Sequence, residues 1–173
     1  RTGEPVALKI LRPEGTHHRA LEGLREHEEA RFAREAEVLA TLRHPGIVRY
    51  VAHGMAGEAR FLAMEWLEGE TLAERLRRQG LTVAEAVKLG ARVASALAAV
   101  HRRGLVHRDL KPSNLLLVGG AIERVTLIDF GVVRRHEGGD ALTQAGALVG
   151  TPAYMSPEQA RGERDVDARS DMF

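Results

Sequence analysis

The sequence predicts an α+β fold of two lobes, the first rich in strands and the second rich in helices. Three observations carry that prediction. Val6 to Leu11 alternates with the period of a strand. Two capping boxes, Thr71-Leu72-Ala73-Glu74 and Thr82-Val83-Ala84-Glu85, open helices in the second part. The change from one pattern to the other falls near Glu65 to Gly69, which reads as a hinge.

The elements follow in chain order. Along the first strand Val6, Leu8 and Ile10 share one face, while Ala7, Lys9 and Leu11 share the other. Between Arg19 and Leu42, Phe32, Leu39 and Leu42 recur at helical spacing with Glu35 on the same stripe, which predicts an amphipathic helix. The His44-Pro45-Gly46 break stops it. Ile47 to Ala52 and Ala59 to Glu65 then read as two strands of a hairpin joined by Gly54 to Gly57. The capped helices end at Gly80 and Gly104. Leu115 to Val118 and Val125 to Ile128 form a second candidate hairpin around Gly119-Gly120, and Arg134 to Gly150 is a long Gly-rich loop.

Composition bounds what such a fold can do. A chain of 173 residues with 44% apolar content can bury a core, since a domain of about 150 residues hides roughly 70% of its extended surface. A net charge of +1 with 28% charged residues gives no tract for nucleic acid and no polybasic membrane patch. The lack of cysteine excludes disulfides, thiol catalysis and cysteine-ligated zinc. No stretch is long and apolar enough for a membrane-spanning helix. Of the 25 basic residues only Lys9, Lys88 and Lys111 are lysine. A chain that otherwise uses arginine needs a reason for each of them.

The motifs supply reasons. His107-Arg108-Asp109-Leu110-Lys111-Pro112-Ser113-Asn114 is followed, twenty residues after Asp109, by Asp129-Phe130-Gly131. Val6-Ala7-Leu8-Lys9 lies on a strand upstream, Glu35 on the helix after it, and Ser156-Pro157-Glu158 closes the long loop downstream. Together, and in this order, they resemble the catalytic domain of eukaryotic-type Ser/Thr protein kinases. The style of Gly150 to Gly162 and of Val166 to Asp171 is similar to the bacterial branch of that family. The resemblance covers essentially the whole chain. It implies a two-lobed protein-kinase-like fold, with an incomplete small strand-rich lobe over 1–64, a hinge over 65–70, and the first part of a helical lobe over 71–173.

The resemblance also implies ATP and Mg²⁺ as cofactors and a role for each motif. Phosphoryl transfer puts its developing charge on equatorial oxygens, so the protein mainly positions reactants and neutralises charge. Lys9 is expected on the α and β phosphates, held by an ion pair to Glu35. A compact ammonium suits that place better than a forked guanidinium. Asp129 and Asn114 are expected to ligate the metal ions through hard oxygen atoms. Asp109 is expected to orient the acceptor hydroxyl and take its proton. Lys111 and Thr151 match the positions that distinguish the Ser/Thr branch. In the nucleotide pocket Met64 is the expected gatekeeper, the Glu65 carbonyl and the Leu67 backbone meet the adenine edge, and Ala7 and Leu116 sandwich the ring. These groups are expected to converge around the terminal phosphate.

Plainer readings stand beside these. Lys9 and Glu35 alone would be a surface ion pair worth under about 1 kcal/mol. His107 alone is a packed structural histidine, and the resemblance agrees by placing it in an internal column with Leu39, Tyr50 and Phe130. Glu158 reads as structural, in the family a partner of an arginine further downstream. Asp171 is expected to anchor the catalytic-loop backbone. His17, His18, His27 and His136 lie in charged or loop segments and read as solvated surface.

The resemblance further implies protein substrates with Ser/Thr acceptors, a homodimer for trans-autophosphorylation, and a cytoplasmic location, with membrane attachment elsewhere in the parent left open. Arg108 beside Asp109 is the arrangement of kinases switched on by activation-loop phosphorylation, and Thr143 is the candidate acceptor. The chain departs from the family in three ways: no Gly-rich loop precedes Val6, little follows Asp171, and Leu11 to Glu35 is longer than usual. The 173 residues by themselves are therefore expected to be inactive. Two rival readings make different predictions. A catalytically inactive binding or regulatory relative predicts gaps at Lys9, Asp109, Asn114 or Asp129, and a small-molecule phosphotransferase would lack the segment closed by Ser156-Pro157-Glu158. The sequence has neither gap nor lack.

Overall fold

The computed structural model describes residues 3–11, 32–33, 36–57, 59–129, 152–163 and 166–173. They fall into two compact units, Arg1–Arg43 with Val48–Leu67, and His44–Ile47 with Glu68–Phe173.

The first unit holds a three-stranded antiparallel sheet of β1 (Val6–Leu11), β2 (Tyr50–Ala56) and β3 (Ala59–Glu65), in the order β1-β3-β2. In the β1–β3 register Ala7 faces Met64 and Lys9 faces Leu62. Residues 32–33 and 36–41 are helical. Phe32, Leu39 and Leu42 are buried at the spacing that the sequence predicts, and Ala36 is buried beside them. Phe32 meets the His53 ring of β2 edge-on at 5.9 Å, and the Arg60 guanidinium of β3 lies 6.0 Å from the Phe32 ring.

The hairpin differs from expectation at both ends. Its first strand begins at Tyr50 instead of Ile47 and runs on through Gly54 to Ala56. Gly54 belongs in the strand because the Phe61 ring fills the space where its side chain would stand, 3.1 Å from an added Cβ. Ile47 is drawn elsewhere, into a parallel bridge with Leu127 of the second unit's sheet, to which it belongs.

The second unit holds β4 (Gly69–Thr71), β5 (Leu115–Val118) and β6 (Val125–Leu127) in an antiparallel sheet, with α1 (Leu72–Arg78) and α2 (Val83–His101). Both predicted capping boxes form. The Thr71 and Thr82 hydroxyls accept from the Glu74 and Glu85 amides at 3.2 Å, and each glutamate reaches back to its own cap. Leu97 and Val100 of α2 are buried with Leu115, Leu117, Val125 and Leu127 of the sheet. Truncating such a buried leucine to alanine costs about 2–5 kcal/mol.

β4 was not legible in the sequence. It is three residues long and depends on a close approach, since a Cβ at Gly69 would lie 2.2 Å from the Leu117 carbonyl oxygen. The segment 44–47 ties into the same unit. The Leu127 amide donates to the Gly46 carbonyl at 2.9 Å, the Gly46 amide donates to His44 Nδ1 at 3.0 Å, and His44 Nε2 lies 3.1 Å from Ser95 Oγ. Among the described residues no helix is long and apolar enough to cross a membrane.

Candidate active site

The loop that follows α2 is shaped by what ends the helix. Arg102 caps it, and the Gly104 amide donates to the His101 carbonyl with Gly104 at φ 70°. Residues 105–111 belong to no helix or strand, and Pro112, whose fixed φ suits the first position of a turn, then starts a single 3₁₀ turn, Pro112–Asn114, leading into β5.

Three predicted residues meet in this loop. Asp109 Oδ2 lies 3.0 Å from Lys111 Nζ and accepts from Asn114 Nδ2 at 2.9 Å. Asn114 Nδ2 also donates to the Asp109 carbonyl at 2.7 Å. The Asp109 and Lys111 side chains are only 11% and 13% exposed. An ammonium and an amide thus fix one carboxylate oxygen in a sparsely hydrated place, where such contacts are stronger than at an open surface. The Ile128 amide donates to the Asn114 carbonyl at 3.1 Å, so the β5–β6 ladder puts half-buried Asp129 one residue beyond Asn114's own partner. Leu116 lies on β5 opposite Thr126.

The backbone beneath these side chains is held from a distance in sequence. Asp171 is buried, and its oxygens accept from the His107 amide at 2.8 Å and the Arg108 amide at 2.7 Å. His101 Nε2 lies 2.7 Å from Asp171 Oδ2. This is the anchoring expected of Asp171. Arg108 is the one non-glycine residue with positive φ among the described residues, at 65°, a conformation that costs about 1–2 kcal/mol. Its carbonyl accepts from Gln159 Nε2 at 2.7 Å, and its guanidinium donates to the Val166 carbonyl at 3.2 Å.

His107 is fully buried, and its Nδ1 accepts from the Asp109 amide at 3.3 Å. That is the packed histidine of the plainer reading. Glu158 accepts from the Ser170 hydroxyl, which above all holds its carboxyl below the usual carboxylate range. The family resemblance gives Glu158 an arginine partner further downstream; among the described residues it bonds Ser170.

The remaining predicted residues are spread over the first unit or lie outside what is described. Ala7 and Lys9 are half-buried on one face of β1, next to Met64 and Leu62 of β3. The branched residues on the opposite face are exposed, Leu8 and Ile10 each at 58%. Glu65 ends β3, where its amide donates to the Arg49 carbonyl and its carboxylate accepts from the Arg49 amide at 2.7 Å. Leu67 is half-buried at the end of that unit. Glu35, Phe130, Thr143 and Thr151 lie outside the described residues.

Sequence reasoning missed His101 and Gln159. Ser156-x-x-Gln159 is a third capping-box pattern that could have drawn attention to Gln159, and that box does form. Nothing local points to His101.

Comparison with known proteins gives a consistent result. A family model described as a protein kinase domain matches residues 1–173. The serine/threonine-protein kinase pkn2 of Myxococcus xanthus is 40% identical over 176 residues, covering 99% of this chain and 20% of that relative. The serine/threonine-protein kinase PknB of Mycobacterium tuberculosis (strain ATCC 25618 / H37Rv) is 36% identical over 179 residues, covering 100% of this chain and 27% of that relative. The chain therefore spans less than a third of the length of these relatives. Among solved structures, the M. tuberculosis PknI kinase domain aligns with a TM-score of 0.69 at 30% identity, covering 97% of this chain and 57% of that one.

Proposed function

Because this chain belongs to the protein kinase domain family, we propose that the full-length protein transfers the γ-phosphate of ATP to Ser and Thr hydroxyls of proteins. The observation that carries the reading is the Asp109 carboxylate, fixed through one oxygen by Lys111 and Asn114 on a backbone pinned by Asp171. A carboxylate so oriented suits a group that receives the acceptor hydroxyl's proton as the oxygen bonds to phosphorus and the bond to the β-phosphate breaks.

Lys9 takes the α and β phosphates, with Glu35 as its partner. The family resemblance assigns Ala7, Met64, Glu65, Leu67 and Leu116 to the adenine. Lys111 neutralises charge beside the acceptor oxygen, and Thr151 shapes the acceptor's seat. Mg²⁺ is the fitting metal. Among the described residues no group of three or more His, Cys, Asp or Glu gathers to hold an ion, and Mg²⁺ needs none, since one or two protein oxygens plus phosphates and water suffice. Asn114 fits because its amide nitrogen is turned to Asp109, which leaves the amide oxygen as the donor atom, and Asp129 supplies the carboxylate. When bound, the ion neutralises phosphate charge. The names of the relatives and the Lys111-Pro112-Ser113 sequence support Ser/Thr acceptors. A cytoplasmic location and a homodimer that phosphorylates in trans belong to the same reading.

The test is transfer of label from γ-labelled ATP, with Mg²⁺, by the full-length protein to a generic basic protein. Label on phosphoserine or phosphothreonine is expected. Label on no protein, or on tyrosine alone, would overturn the reading.

A further inference from the structure

Gln159 is the third residue of the short helix α3 (Pro157–Ala160), and its side chain makes two bonds in opposite senses. Its Oε1 accepts from the Ser156 amide at 3.0 Å, completing the capping box. Its Nε2 donates to the Arg108 carbonyl at 2.7 Å, across 51 residues of sequence. The first bond needs an acceptor and the second a donor, and a primary amide of this length supplies both. The two other capping boxes among the described residues place glutamate at the same position, Glu74 and Glu85. Glutamate serves the cap equally well and gains from the helix N-terminus. It cannot donate to Arg108.

The Arg108 carbonyl shares a peptide plane with the Asp109 amide. That plane is gripped on one side by Gln159 and on the other by His107 Nδ1, while the Arg108 amide is held by Asp171 at 2.7 Å. Arg108 has its left-handed φ of 65° between these grips, and such a backbone persists where its surroundings over-determine it. The orientation of the plane sets the direction in which the Asp109 side chain leaves the backbone.

We infer that Gln159 is a positioning residue for Asp109, acting through the Arg108 carbonyl and linking the closing helix of the activation segment to the catalytic loop. Its effect on catalysis rests on the proposed function. Its grip on the loop does not.

The test compares full-length wild type with Gln159→Glu and Gln159→Ala. A residue that serves only the cap predicts that Gln159→Glu behaves as wild type. A positioning residue predicts that both variants fail alike: the Arg108 and Asp109 amides exchange hydrogen about tenfold faster, and kcat falls about tenfold or more with the KM for ATP unchanged. Wild-type exchange at those two amides in Gln159→Glu overturns the inference. Wild-type protein that transfers no phosphate removes the proposed function alone, because the exchange measurement still decides whether Gln159 holds the loop.

Discussion

Asp171 Oδ1 accepts the Arg108 amide hydrogen at 2.7 Å, and Arg108 has a left-handed backbone, with φ 65°. The same carboxylate takes the His107 amide and faces His101 Nε2, so one buried anion serves three donors. Asp171→Asn removes the charge and turns one acceptor into a donor. A buried group left unpaired costs about 1–3 kcal/mol, and urea unfolding of the full-length protein should show a loss of that size, with slower phosphate transfer. An unchanged midpoint would mean that the loop is held by something else.

His44 predicts a pH dependence of stability. Burial first, then the neighbouring Arg102 and Arg92 cations, keep its imidazole below the ordinary 6.5. The unfolded chain therefore takes up the proton more readily than the folded one, and stability rises with pH across the window that ends near 6.5. The contribution is complete above that pH and is lost as pH falls below it. Protonation also removes the acceptor that His44 Nδ1 offers the Gly46 amide. Urea midpoints measured from above to below pH 6.5 should fall less steeply in His44→Asn than in wild type. Parallel curves would refute this.

Gly69→Ala should loosen the junction between β4 and β5. The added methyl would sit 2.2 Å from the Leu117 carbonyl oxygen, which is backbone and cannot swing away. Overpacking of this kind costs about 1–3 kcal/mol, readable as a lower thermal midpoint. A midpoint equal to wild type would show that the strands part without penalty.

What was legible in the sequence follows the range of the interaction. Thr71 with Glu74, and Thr82 with Glu85, are three residues apart, and both boxes appear where their pattern stands. β5 and β6 flank a local turn and were visible for the same reason. Ile47 was misplaced because its partner, Leu127, is distant in sequence, and a β-branched residue before a strand reads as part of that strand. The trio Asp109, Lys111 and Asn114 was legible through its motif. The supports beneath it were legible only in part, because Gln159 and Asp171 bind main-chain atoms of Arg108 and His107, and a backbone acceptor or donor leaves no residue type to recognise.

Lys111 should matter for rate more than for folding. Its ammonium is 3.0 Å from Asp109 Oδ2 and little exposed. Lys111→Met removes one preorganised cation, a change that typically costs about 10²–10³ in kcat, with the KM for ATP little altered. A variant as fast as wild type would take Lys111 out of the account.

The most direct measurement compares full-length wild type and Asp109→Asn in two readouts, nucleotide binding and phosphate transfer. Binding of ATP with Mg²⁺ is followed by titration calorimetry. The account predicts unchanged nucleotide affinity and transfer to protein Ser/Thr slower by about 10²–10⁴. An Asp109→Asn protein that transfers phosphate at the wild-type rate would contradict it.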